Sequence, residues 1–129
     1  MLAEASRVGL NFTVRTAMAE KSKRRLMMEQ SLASDPSDPF LRYGLALQCL
    51  RDGDRGEGTQ RLHDLISDSP DDQVAAYQQL GQSYLEEGDA EMARGILKTG
   101  ISKARLRGDW HAAAEMEGLL EQLGKCADA

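Results

Sequence analysis

Two stretches of this chain repeat one another at a nearly constant offset, which is 34 from Tyr43 to Tyr77 and from Pro36 to Pro70, and 35 from Gly53 to Gly88. In the downstream copy Tyr77-x-x-Leu80-Gly81-x-x-Tyr84 precedes the pair Gly88-Asp89 and then Ala93-x-x-x-Leu97. Residues three and four apart share one side of a helix, so Tyr77, Leu80, Gly81 and Tyr84 form a single stripe. The upstream copy reads Arg42-x-x-Leu45-Ala46-x-x-Cys49, Gly53-Asp54, Gly58-x-x-x-Leu62 and a closing Pro70. A period of this length marks arrays of helix-turn-helix units. It predicts successive antiparallel helix pairs.

The residue chemistry between the stripes agrees. Gly53-Asp54, Gly88-Asp89 and Gly108-Asp109 each join a residue able to end a helix in the left-handed conformation to one able to cap the next. Three tight helix-to-helix turns are expected there. Where two helices cross closely, a small side chain must face a large one, because interiors are filled to near-crystalline density. Gly81 and Ala93 are the small partners of the second copy, and Ala46 and Gly58 those of the first. The prolines, Pro36, Pro39 and Pro70, fall near helix starts. With 129 residues and 41% hydrophobic residues, the chain suits one soluble all-α domain.

The flanks continue the pattern. Residues 14–33 can form an N-terminal helix, and Ser31 to Pro36 echoes Leu65 to Pro70 at the same offset, so a half-repeat precedes the first full copy. Residues 1–13 read as loosely ordered or extended. The organisation is then an N-terminal extension, 1–33, and a repeat domain, 34–129, with repeats at about 39–70 and 74–107. The second helix of the second repeat is expected to run long, from Ala90 to about Arg107. A capping helix over 110–123 would bury Ala113, Met116, Leu120 and Leu123 and turn Glu115, Glu121 and Gln122 to water. Trp110 is expected to pack against the preceding helix.

These motifs resemble the tetratricopeptide repeat (TPR) family, whose signature has a large residue, a Leu-Gly pair, a Tyr, an Ala, an aromatic and a closing Pro. The resemblance covers residues 39 to about 107. The chain departs from the pattern at Arg42, Ala46, Cys49 and Gly58 in the first copy, and at Tyr77, Leu97 and Arg105 in the second. The resemblance implies an α-α superhelix whose first helices line a concave groove for a partner peptide or protein. The groove positions would be Phe40, Tyr43, Leu47, Leu50 and Arg51 in the first copy, and Ala75, Gln78, Gln82, Leu85 and Glu86 in the second. The Lys and Asn clamp with which some members hold a terminal carboxylate is absent, since Tyr43, Leu47, Gln78 and Gln82 stand there. Two repeats are few for a self-sufficient array, so a groove closed by the N-terminal helix, or a homodimer, is the alternative expectation.

Charge and reactive residues narrow the function. Residues 1–33 carry a balance of +3, which leaves −8 of the total −5 for residues 34–129. An acidic repeat body argues against binding a phosphate backbone. The run Lys21-Ser22-Lys23-Arg24-Arg25 lacks interleaved aromatics and reads as a solvated helix face, or as a contact for an acidic patch on another copy. His63 and His111 have no metal-ligand spacing, and Cys49 and Cys126 make no disulfide framework, which fits a reducing, cytoplasmic setting. Cys49 is expected to fill a small apolar site. The acidic pairs Asp35 with Asp38 and Asp71 with Asp72 are expected to cap helices rather than act as paired catalytic carboxylates. No catalytic, cofactor or metal motif stands out, and no apolar run approaches a membrane span. Val8 to Ala19 makes a poor export signal, because Asn11 and Arg15 interrupt it. The expectation is a non-enzymatic module that binds protein, without cofactor, nucleic acid or membrane.

Overall fold

The structure, a computed structural model, describes residues 20–128, with side chains described as far as residue 124. Six α-helices occur among these residues: α1 Lys23–Ser34, α2 Pro39–Arg51, α3 Arg55–Asp68, α4 Val74–Glu87, α5 Ala90–Leu106 and α6 Trp110–Asp128. There is no strand among them. Residues 14–19 of the expected N-terminal helix and the extended segment before them lie outside the described residues, as does the Cys126 side chain; residues 20–22 are not helical, because Ser22 caps α1 and the helix starts at Lys23.

All three expected turns form. Gly53, Gly88 and Gly108 have φ of 86°, 81° and 73°, where a Cβ would be strained. The aspartate after each then caps a helix: Asp54 accepts from the Glu57 N–H at 3.2 Å, Asp89 from Met92 at 3.2 Å and Asp109 from Ala112 at 3.1 Å. Asp38 caps α2, accepting from the Phe40 N–H at 2.9 Å, and Pro39 takes the first helical position, where its missing N–H leaves nothing unpaired.

The chain divides into two compact units at Gly58, inside α3. In the first unit α1 packs on α2, and the start of α3 crosses α2 at a small residue. A Cβ added to Gly58 would lie 2.7 Å from Leu50 Cδ2 and 3.2 Å from the Ala46 carbonyl oxygen. Leu45, Ala46 and Cys49 are fully buried there. In the second unit α4 packs on α5 and α5 on α6, while α4 also touches α6. Its core joins Tyr77, Ala93, Leu97, Ile101, Ala104, Ala113 and Met116. Gly81 meets Leu97, whose Cγ would lie 2.6 Å from an added Cβ. Gly100, which the repeat pattern does not single out, makes a further close crossing with Tyr77 Cβ and Met116 Sδ, each 2.7 Å from such a Cβ.

Five expectations need correction. Asp71 and Asp72 do not cap α4: its N-cap is Gln73, which makes no side-chain cap bond, and the two aspartates pair with Lys103 and Arg107 near the end of α5. Trp110 does not pack away but is 65% exposed. At 100° per residue it sits about 120° around α6 from the buried Met116, so the turn that starts the helix holds it off the apolar stripe. The basic run is not wholly a solvated face, because Arg25 is 1% exposed while Lys21, Lys23 and Arg24 are exposed. Cys49 is buried, yet its Sγ lies 3.3 Å from Glu57 Oε2, so its site is not simply apolar. Helix α6 also continues past 123 to Asp128.

Candidate functional site

The positions that the repeat pattern assigns to partner binding fall on α2 in the first unit and on α4 in the second. On α2, Phe40 is 81% exposed, Arg51 is exposed, and Tyr43 and Leu47 are half-buried. Leu50 is also half-buried, but its side chain lies over Gly58 of α3 and belongs to that crossing. Met28 of α1 borders the same side of α2 at Gly44, where an added Cβ would lie 4.0 Å from its Cε.

On α4, Ala75 and Glu86 are exposed and Gln78, Gln82 and Leu85 are half-buried. Leu85 rests against the core of the second unit. The amides are engaged. Gln82 Nε2 donates to Glu86 Oε1 at 3.3 Å, one turn on, and Gln78 Nε2 donates to Glu115 Oε2 of α6. The other oxygen of Glu115 lies 2.8 Å from His111 Nε2, one turn back along α6. Helices α4 and α6 thus share a polar face of Gln78, Glu115 and His111. Glu115 is exposed, as the sequence predicts, and what sequence reasoning did not draw is its pairing with His111 and Gln78; the i, i+4 spacing of Glu115 and His111 was the available signal.

The opposite side of α4 is closed. Tyr77 donates from its hydroxyl to the Pro70 carbonyl at 3.0 Å, and Tyr84 shares a 2.7 Å hydrogen bond with His63 Nε2 of α3. Burial pushes both phenols above their ordinary pKa; Asp71 adds to this at Tyr77 against an opposing Lys103, and Glu87 and Asp89 add to it at Tyr84.

A second polar cluster lies in the first unit. Arg25 Nη2 donates to Asp54 Oδ2 at 3.0 Å and to Glu57 Oε2 at 2.8 Å, and Nε lies 3.3 Å from Glu29 Oε1. Burial opposes the charge of this guanidinium, but the Glu57 and Asp54 carboxylates outweigh it and hold Arg25 more firmly protonated than usual. Beside it Asp52 accepts from the Ser22 N–H and hydroxyl at 3.2 and 2.9 Å and from Gln48 Nε2 at 3.0 Å. Partial desolvation would raise the Asp52 pKa, but these hydrogen bonds and the nearby Arg25 charge lower it overall. Among the described residues no group of three or more His, Cys, Asp or Glu could hold a metal ion, and no helix is long and apolar enough to cross a membrane.

Solved structures share this arrangement. A solution structure of a tetratricopeptide repeat domain protein from Salinibacter ruber is 28% identical, with a TM-score of 0.65 over 69% of this chain and 89% of its own. A crystal structure of a tetratricopeptide repeat domain protein from the same organism is 26% identical, with a TM-score of 0.63 over 67% and 97%. A protein from Bordetella parapertussis, 22% identical, shares the fold with a TM-score of 0.71 over 81% and 90%. No protein-family model matches the sequence, and no curated protein is significantly similar to it. Paired helices, small-residue crossings and Gly-Asp turns define an α-α helical-repeat protein. Within that class the chain is TPR-like, as its Tyr77, Leu80, Gly81 and Tyr84 stripe implies.

Proposed function

We propose that this chain is a non-catalytic, cytoplasmic interaction module that binds a peptide or protein partner through the outward faces of its first-position helices. On α4 these are Gln78, Gln82, Glu86 and the half-buried Leu85, and on α2 they are Phe40, Tyr43, Leu47 and Arg51, Leu50 being taken up by the crossing with α3. The observation that carries the reading is the two-sidedness of α4. Tyr77, Leu80 and Gly81 are buried, while the other side presents amides and carboxylates shared with α6. Such a face can exchange its own hydrogen bonds for those of an extended or helical peptide. The account needs neither a cofactor nor nucleic acid.

A second reading, self-association, draws on Phe40 and on Leu26 and Met27 of α1, which are 81%, 46% and 67% exposed. A closure of the α2 face by α1 draws on Met28 beside Gly44. One experiment separates the readings: affinity capture from a lysate, with light scattering on the same preparation. Tyr43→Ala combined with Gln78→Ala should abolish capture of a partner and leave the melting temperature little changed. Loss of helicity in that variant would instead assign the two residues to the core. A doubled mass with no captured partner would favour self-association.

A further inference from the structure

Helix α1 is attached in an unusual way. Its single buried residue is Arg25; Leu26 and Met27 are exposed, and Met28 and Leu32 are half-buried. Compare α5, which buries Ala93, Leu97, Gly100, Ile101 and Ala104. Among the described residues, α1 is joined to the rest of the first unit by polar contacts, Arg25 to Asp54 and Glu57 and Ser22 to Asp52, and by the half-buried Met28 beside Gly44. The guanidinium is imperfectly satisfied, since its buried Nη1 has no hydrogen-bond partner among the described residues and one nitrogen, Nη2, serves both carboxylates. Removing such a group from water is only partly offset by its partners, so a contact of this kind adds little net stability while remaining specific. A twelve-residue helix is in turn too short to persist by itself in water.

Beneath this contact lies Cys49. Its Sγ and the Arg25 Nη2 approach the same atom, Glu57 Oε2, at 3.3 and 2.8 Å, and the thiol is fully buried. We propose that α1 is a detachable strap, latched on the α2–α3 turn by Arg25 through Asp54 and Glu57, whose release uncovers Cys49 and the Gly44 side of α2 while the second unit stays folded. The strap thereby regulates how much of the α2 face is open. Sub-global opening of one element ahead of the rest is the general behaviour of weakly packed segments.

The test uses the full chain with Cys126→Ser, so that Cys49 is its one thiol. Reaction of Cys49 with dithiobis-nitrobenzoate is timed while hydrogen exchange of α1, α4 and α5 is followed by mass spectrometry. Arg25→Gln should raise the thiol reaction rate by roughly tenfold or more and strip protection from α1 alone, with Arg25→Lys falling between it and the parent. Unchanged thiol reactivity, or loss of protection that spreads to α4 and α5, would overturn the proposal. Should Arg25→Gln not fold, the parent chain is compared in sub-denaturing guanidinium chloride and urea. At concentrations of the two that leave α4 and α5 equally protected, guanidinium ion, which competes for the same carboxylates, should expose Cys49 more than urea does. Equal action of the two denaturants would overturn the strap.

Discussion

At the scale of single residues, the structure turns on groups whose surroundings differ from what their type suggests. Tyr77, buried, and Tyr84, half-buried, hold neutral hydroxyls, and their raised pKa values have a consequence for stability. A phenol whose folded pKa lies above its unfolded value of about 10 contributes stability that is fully present below that pH and lost as pH rises through the folded value. The melting temperature should therefore hold up to about pH 9 and fall above about pH 10. Tyr77 and Tyr84 should ionise late when phenolate absorbance is followed in the folded protein. Ionisation of either at the ordinary value would contradict its burial. Single residues were also the hardest to read from sequence. Arg25 sits in a run of basic residues that is otherwise exposed, and nothing local distinguishes it. Its burial depends on Asp54 and Glu57, 29 and 32 positions away. Trp110 was misjudged for the converse reason, since size favours burial but its register on α6 does not allow it.

At the scale of helices, crossings are set by where a side chain is missing. Helix α5 offers a controlled comparison, because it contains two glycines in opposite settings. At Gly95 an added Cβ would meet nothing within 4 Å, whereas at Gly100 it would lie 2.7 Å from Tyr77 Cβ, an atom close to the backbone of α4 that cannot easily give way. Gly95→Ala should stabilise the protein by about 0.5–1 kcal/mol through helix propensity and a less flexible unfolded chain. Gly100→Ala should destabilise it by about 1–3 kcal/mol, overpacking outweighing the same gain. Urea unfolding of the two variants checks both signs, and a stabilising Gly100→Ala would show that α4, α5 and α6 do not meet as described. Sequence disclosed most at this scale. Gly-Asp pairs carry their own conformational logic, so the three turns and the end of α5 near Arg107 were legible. Gly81 was legible as a small partner because it recurs in the repeat pattern. Gly100 was not, because it occupies none of the motif positions and its need for smallness comes from Tyr77 of α4 and Met116 of α6 together.

For the whole molecule, a TPR-like architecture follows from two hairpins built on the same rule, small residue against large. The outward faces that this leaves on α2 and α4 are what make an interaction module the natural reading. The proposed binding positions were only partly legible. Helical spacing places Gln78 and Gln82 on one stripe, but their engagement with Glu115 and Glu86 depends on the placement of α6 and on rotamers. Leu50 stands among the outer-face positions through the resemblance to the repeat family, although its side chain covers Gly58.

The most direct test of the architecture is a nuclear Overhauser measurement on methyl-labelled protein in solution. The Gly81 α-protons should show strong cross-peaks to the Leu97 methyls, and the Gly58 α-protons to the Leu50 methyls, as the close approaches require. If either glycine lacks these contacts while the leucine methyls report other neighbours, the helices do not nest at those crossings, and the duplicated hairpin is contradicted, together with the binding faces proposed on it.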